Sequence, residues 1–435
     1  LRGIYPAQLN EAIAFQIGRC FVPLLAAKNI VIGRDMRSSS DALFEALANG
    51  ATDSGADVID IGMVSTDALY FAVGKYEYDG GIMITASHNP AEYNGMKFTK
   101  ASAQAISLDT GLSTIRDQIV ANKMPPLAPA KGKISKADVL SAFADHCLSF
   151  INSAKLKPFK IAIDAGNGMA GITVPQIFRH LPCEIIPLYF EPDGRFPNHP
   201  ANPLEPENIK ELQQKVLASK CDLGVAFDGD ADRMFIIDER GNLVGGDIIT
   251  ALVAINTLHH NPGCRILYNV ICSKTVKEAI TKHGGIAIRS PVGHSIIKNM
   301  MREHDITFGG EHSGHFYFKD NWYADSGMIA LLQCLEVFSE SGKTVSETIK
   351  PIDTEFRSGE INSTVDNVSE KLKAIESHFS NGDIDDFDGL TITYPDWWLN
   401  VRASNTEPLL RLNLEASSKT LMETRRDEAL KIIRS

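Results

Sequence analysis

Three times along this chain a β-branched run opens into an amphipathic stretch, is followed by a second run and then a third, and the third ends in a dense polar cluster. The first runs lie at 29–35 (NIVIGRD), 160–166 (KIAIDAG) and 265–270 (RILYNV). The second lie at 57–61, 184–189 and 285–288, and the third at 81–85, 222–227 and 305–308. Strands alternating with amphipathic stretches are the pattern of α/β units, and an internal repeat of this kind constrains the fold more than any single motif. Because ligands of open α/β sheets bind beyond the carboxyl ends of the strands, three loops in equivalent positions are expected to face one site. The expectation is three similar α/β domains with mixed sheets around a central cleft. After about residue 351 the pattern changes: strand-like runs at 355–365, 390–393, 397–402 and 409–415 precede a charged helix after Lys419. A smaller α+β domain is expected there. Boundaries at the Pro/Lys-rich stretch 123–133 and the turn 238–241 divide the chain into 1–135, 136–240, 241–353 and 354–435.

The balance of charge bears on partners. With 43 basic and 54 acidic residues, a formal charge of −11 gives no reason to expect nucleic acid or an anionic membrane surface as partner. An anionic substrate must meet local cations instead. The 7 cysteines are scattered and never form C-x-x-C, which argues against a disulfide framework or a thiolate zinc site and fits a reducing cytoplasm. No apolar run approaches the ~20 residues needed to span a bilayer. The chain opens Leu1-Arg2-Gly3, which reads as neither an initiator methionine nor a signal peptide, so residues ahead of Leu1 are expected. The expected setting is cytoplasmic, and the expected state a monomer or weak homodimer.

The polar clusters carry the chemistry. In Thr85-Ala86-Ser87-His88-Asn89-Pro90 a serine stands beside a histidine on the turn after a buried strand, a plausible nucleophile with a base at hand. Lys97, in the following Asn94-Gly95-Met96-Lys97, can set a cation near a phosphate. In Asp228-Gly229-Asp230-Ala231-Asp232-Arg233 three hard carboxylates alternate through a tight loop, suited to Mg²⁺, and Arg233 adds a cation able to grip phosphate. An EF-hand is excluded because Arg233 stands where that loop requires glycine, and LGVAF and MFIID on either side read as strands.

In Gly309-Gly310-Glu311-His312-Ser313-Gly314-His315, Glu311 and Ser313 offer acceptor and donor groups to ligand hydroxyls. Arg402-Ala403-Ser404-Asn405-Thr406-Glu407-Pro408 combines a charge with hydroxyl and amide donors, an anion cradle or else a helix cap. Gly166-Asn167-Gly168-Met169-Ala170-Gly171 is formally a dinucleotide fingerprint. Glu191, the residue at ribose-contact distance, sits in a Pro/Gly loop, so a tight strand-to-helix turn explains these glycines as well.

TASHNP, DGDADR, GEHSGH and RASNTEP stand here in the order of the nucleophile, metal, sugar and phosphate loops of the α-D-phosphohexomutase superfamily. The chain resembles the phosphomannomutase/phosphoglucomutase branch most, also through Gly33-Arg34-Asp35 and Phe196-Pro197-Asn198-His199. The resemblance implies that Ser87 carries a phosphoryl group and joins Asp228, Asp230 and Asp232 around Mg²⁺. It implies reversible interconversion of hexose 1-phosphate and hexose 6-phosphate through a bound hexose 1,6-bisphosphate, which also serves as activator.

By the same resemblance Arg2, Arg233, His294, Glu311, Ser313 and His315 bind the phosphosugar. Arg402, Ser404, Asn405 and Thr406 hold its non-reacting phosphate, and His88, Lys97 and His315 are candidates for general acid and base. Two departures stand out: the Tyr and Asp expected ahead of Arg2 are absent, and Ile271 replaces a lysine of some relatives. His312 stands where dual-specificity members often carry methionine, which favours mannose over glucose. A magnesium-dependent phosphatase and a phosphoglucosamine mutase are the alternatives.

Overall fold

The computed structural model describes residues 1–403 and 409–435. Its first three sheets share one plan. In the first, Asn29–Arg34 lies between Asp57–Met63 and Gly80–Ile84, all parallel, and Tyr93–Lys100 returns antiparallel beside Gly80–Ile84. In the second, Lys160–Asp164 lies between Glu184–Leu188 and Leu223–Phe227, with Met234–Ile237 returning antiparallel. In the third, Arg265–Asn269 lies between Ile286–Ser290 and Phe308–Gly310, with Phe316–Phe318 returning antiparallel. The expected repeat is therefore present, with sheets that are mixed because the chain doubles back after each third strand. That doubling back places the polar clusters 85–92, 228–233 and 311–315 in equivalent hairpin bends.

The central strands are buried on both faces and accordingly read as near-continuous apolar runs: IVI at 30–32, IAI at 161–163 and ILY at 266–268 are all buried. The third strand of the third sheet runs Phe308–Gly310 rather than over 305–308, because Asp305 takes a left-handed φ of 50° and turns the chain first. A single apolar core runs through all three units, from Val31 and Met83 through Phe143, Ile163 and Phe227 to Phe308 and Phe338. Burial of that continuous core fixes the three hairpin bends relative to one another.

The last unit has its own core, built on Leu399, Leu412, Ile375 and Ile433. Its antiparallel sheet runs Phe356–Arg357, Leu409–Ala416, Trp397–Ala403, Leu390–Thr393, Asp383–Asp385, with Ile361–Thr364 also pairing with Leu409–Ala416. The run expected at 355–365 is split by Gly359, at φ 67°. Helix Lys419–Arg434 closes the unit, capped by Ser418, whose hydroxyl accepts from Leu421 N. The stretch 123–133 docks on the first unit: Gly132 N donates to Thr52 O, and the chain continues into Ile134–Lys136, which pairs parallel with Asp57–Met63. No helix among the described residues is long and apolar enough to cross a membrane.

Candidate active site

Ser87 follows strand Gly80–Ile84 and takes a left-handed φ of 54°, a conformation that costs a non-glycine residue ~1–2 kcal/mol. Its backbone N donates to Thr85 Oγ1 at 2.9 Å, and its side chain is buried. Ser87 Oγ reaches Asp228 Oδ2 at 2.9 Å and His88 Nδ1 at 3.2 Å. The first and second units thus meet at the hydroxyl. Gly229 allows the approach, since a Cβ there would lie 2.5 Å from Ser87 O.

Asp228, Asp230 and Asp232 offer carboxylate oxygens within 4.8 Å of one another, all three buried. Strands Leu223–Phe227 and Met234–Ile237 flank them, as the exclusion of an EF-hand required. Lys97 on strand Tyr93–Lys100 donates from Nζ to Asp230 Oδ2 at 2.6 Å and also to Asp232. Arg233 Nε donates to Asp228 Oδ2 at 2.9 Å, and Thr66 Oγ1 to Asp230 Oδ2 at 2.5 Å.

Burial pushes the Asp228 carboxyl up to about 6, opposed by Arg233. Burial alone would lower the Lys97 ammonium, but Asp230 and Asp232 outweigh it and hold Lys97 well above the usual lysine range. Asp230 Oδ1 and Asp232 Oδ1 are buried with no hydrogen-bond partner among the described residues. Two unpartnered buried oxygens in a hard-oxygen cluster fit a small divalent cation.

The third unit joins through its backbone. Arg233 and His315 form an isolated antiparallel bridge, and Met234 N donates to Gly314 O. His315 is held by Ser313 Oγ, 3.0 Å from its Nδ1, while its Nε2 lies 3.8 Å from Asp232 Oδ1. Glu311 is buried beside His315, its Oε1 3.8 Å from His315 Nδ1, and its carboxylate takes hydrogen bonds from Tyr317 OH and from Asn269 Nδ2. Burial, then Arg233 and Arg2, push the His88 imidazole down to about 2, so its ring is neutral.

A pocket of ≈ 100 Å³ is lined by Arg2, Tyr70, Ser87, His88, Lys97, Asp232, Arg233, His294, His315 and Asp325. A roomier cavity of ≈ 410 Å³ beside His146, His260 and Lys319 shares none of these groups, so chemistry rather than volume selects the site. Arg2 reaches the pocket because strand Arg2–Ile4 pairs with Tyr93–Lys100, and its Nη1 donates to Asn89 Oδ1 at 2.8 Å.

Other residues lie elsewhere. Arg402 is on strand Trp397–Ala403, paired with Glu360 at 3.1 Å and not among the pocket's lining. Ser404, Asn405 and Thr406 lie outside the described residues. His312 and Ile271 face the seam between the third and fourth units, beside Arg357 and Trp398. The glycines of 166–171 make a strand-to-helix turn into helix Ala170–Phe178, with Gly166 at φ 52° and Glu191 O accepting from Asn167 Nδ2.

Thr66, Tyr70 and Asp325 reach this site without any sequence signal: Thr66 and Tyr70 sit on helix Thr66–Lys75, and Asp325 on the short strand Ala324–Asp325.

Four family models for phosphoglucomutase/phosphomannomutase match the chain in order: α/β/α domain I over residues 1–125, domain II over 141–241, domain III over 245–354 and the C-terminal domain over 360–432. A phosphomannomutase of Escherichia coli (strain K12) is 41% identical over 435 residues, covering 98% of this chain and 95% of the relative. A Xanthomonas campestris protein named for phosphohexose mutases is 39% identical over 438 residues, covering 100% and 98%. The crystal structure of a phosphoglucomutase/phosphomannomutase family protein from Burkholderia thailandensis superimposes with a TM-score of 0.90 at 31% identity, covering 99% of this chain and 95% of that one. The four matches follow the order of the three α/β units and the last unit. The chain belongs to the phosphoglucomutase/phosphomannomutase family.

Proposed function

We propose that this chain interconverts hexose 1-phosphate and hexose 6-phosphate, preferring mannose, by passing a phosphoryl group through Ser87. The observation that carries this reading is the 2.9 Å contact between Ser87 Oγ and Asp228 Oδ2, at a pocket also lined by Lys97 and Arg233. Phosphoryl transfer needs positioning and charge neutralisation more than covalent assistance, and both cations stand beside the serine. Mg²⁺ is the metal whose chemistry the three carboxylates suit, and when bound it would neutralise charge on phosphoryl oxygens.

From phosphorylated Ser87 the P–Oγ bond breaks as a sugar hydroxyl oxygen bonds to phosphorus; the hydroxyl proton passes to a base and on to the departing Ser87 Oγ, which ends as a hydroxyl. Lys97 is held protonated by two carboxylates and serves as a fixed charge. His315 takes the proton: Ser313 fixes its Nδ1, which leaves Nε2 toward the pocket. His88 orients the serine hydroxyl. A hexose 1,6-bisphosphate, turned around, returns its other phosphoryl group to Ser87, and added as activator it replaces a phosphoryl group lost to water. Arg402 with Ser404, Asn405 and Thr406 holds the far phosphate, and His294 and Arg2 the sugar. The relatives named phosphomannomutase support mannose as the preferred sugar.

A ³¹P NMR time course with mannose 1-phosphate, Mg²⁺ and a trace of hexose 1,6-bisphosphate tests this reading. A growing mannose 6-phosphate signal is expected. Free phosphate instead would make the chain a phosphatase, and full turnover by Ser87→Ala would remove the nucleophile.

A further inference from the structure

Two sequence motifs that the mechanism leaves unused, Gly33-Arg34-Asp35 and Phe196-Pro197-Asn198-His199, converge on one side chain. Arg37 follows strand Asn29–Arg34 and is 3% exposed. Its Nη1 donates to Pro90 O at 2.6 Å and Tyr93 O at 2.8 Å; its Nη2 donates to Asn89 O at 2.6 Å and Ser87 O at 3.0 Å. Four carbonyls of the serine's own loop therefore converge on one guanidinium. Its Nε faces Asp35 Oδ2 at 3.2 Å, and Asp35 is anchored by Ser40 Oγ at 2.7 Å and by Arg37 N at 3.1 Å.

The second unit covers the other side. The Phe196 ring centroid lies 5.1 Å from Arg37 Cζ, and a Cβ on Gly194 would lie 2.5 Å from Arg37 Cα. His199 Nε2 meets Asp164 Oδ2 at 3.0 Å and Asn198 Nδ2 donates to Asn167 Oδ1 at 2.8 Å, tying that turn to the sheet that carries Asp228.

We propose that Arg37 is a positioning residue for the nucleophile, gathering the Ser87 loop by its carbonyls and fastening it to the second unit through Phe196. This rests on the reading of Ser87 as the phosphoryl carrier. Ser87 sits at a φ that its own side chain disfavours, so something outside the loop must hold it there, and the Ser87 carbonyl is where Arg37 grips. A planar fork of fixed N–H directions can serve four carbonyls at once. A lysine, with three donors on one atom, cannot reach the same set. Arg37 is absent from the pocket lining, so its effect must pass through Ser87.

The test loads full-length wild type and Arg37→Lys with phosphoryl groups from hexose 1,6-bisphosphate and follows single-turnover transfer to hexose 6-phosphate. Mass spectrometry checks that Ser87 is the loaded residue. Arg37→Lys is expected to slow transfer about 100-fold, the scale of loss from a slightly misplaced reacting group. KM for the sugar phosphate should stay within about threefold, since no binding contact is removed. Millimolar guanidinium added to Arg37→Ala should restore part of the rate.

Phe196→Leu, which leaves the carbonyl contacts in place, provides a milder second variant and should slow transfer by about tenfold. If Arg37→Lys is loaded on Ser87 and transfers at the wild-type rate, or if its loss matches the loss of folded protein and Phe196→Leu is normal, the proposal is wrong. Wild type that loads no phosphoryl group on Ser87 instead overturns the reading of the nucleophile itself, and this inference with it.

Discussion

Lys298 Nζ lies 2.6 Å from Asp325 Oδ1 with the two side chains only 1% and 3% exposed, and the Tyr70 ring of the first unit caps the ammonium at 4.2 Å. This ion pair belongs to the third unit, yet an aromatic residue from the first closes it. Asp325 faces the pocket beside Lys97 and His315. Burial would raise its carboxyl, but Lys298, His315 and Lys97 outweigh that and hold it below the usual range.

Breaking such a pair from one side leaves an uncompensated buried charge, which typically costs ~3–5 kcal/mol. Lys298→Met should therefore lower the urea midpoint strongly. Lys298→Met combined with Asp325→Asn should recover most of the loss. A double variant no more stable than the single one would show that the pair is not what holds this seam.

Lys97 occupies one oxygen of Asp230 and of Asp232, the carboxylates that also fit a divalent cation. Lysine and metal therefore compete for the same charge. Lys97→Met should bind Mn²⁺ roughly tenfold more tightly, as expected if ~1.4 kcal/mol of competition is lifted. Its turnover should fall by about 100-fold, because a cation directed at the transferring group is gone. Calorimetric titration with Mn²⁺ separates the two effects, and unchanged metal affinity would refute the competition.

The three polar hairpin bends are legible because their signal is local: an apolar run ending in a polar cluster, three times over. The single core that aligns them is not, since it is made by contacts between residues as distant as Val31 and Phe338. Lys298 shows the difficulty. In His294–Glu303 (HSIIKNMMRE) a lysine reads as part of a solvated helix face, and only the packing of Tyr70 and Asp325 against it makes it interior. Nothing local marks Arg37 either, because its four carbonyl partners lie 50 or more residues along the chain. Arg402 reads as an anion-binding residue from its loop, and its pairing with Glu360 is a contact that no local pattern links to it.

Asp67 gives a pH signature. It is enclosed between Ser65 and Ser326, whose Oγ donates to Asp67 Oδ2 at 2.6 Å. Burial pushes its carboxyl up to about 7 from 3.8, with the two serine hydrogen bonds opposing. In the window between those values the folded protein keeps a proton that the unfolded chain has lost. The stability this contributes is present below the lower value and is lost as pH rises through the upper one. Measured without metal, the wild-type unfolding midpoint should fall between about pH 4 and pH 7 relative to that of Asp67→Asn. Parallel midpoints for the two proteins across that window would show that Asp67 is ionised in the fold.

Gly74 sets how closely the first unit packs on the third. A Cβ there would lie 2.2 Å from Trp322 Cδ2. Trp322 and Tyr323 both take left-handed backbone angles, φ 54° and 58°, and lead directly into Ala324–Asp325. The indole lies 5.3 Å from the His146 ring and 6.2 Å from Phe71, so these rings resist its retreat. Two effects oppose each other in Gly74→Ala. Alanine favours the helix Thr66–Lys75 by ~1 kcal/mol over glycine, while overpacking typically costs ~1–3 kcal/mol. The overlap is with a ring rather than the tip of a flexible chain, so the second effect should win and the variant should be less stable. Displacing Trp322 also disturbs Asp325, three residues on, and turnover should fall further than folded content. Gly74→Ala combined with Trp322→Leu should regain stability without regaining turnover. A single variant more stable than wild type would mean that the seam can yield at Trp322, and that the left-handed pair is not held by its packing.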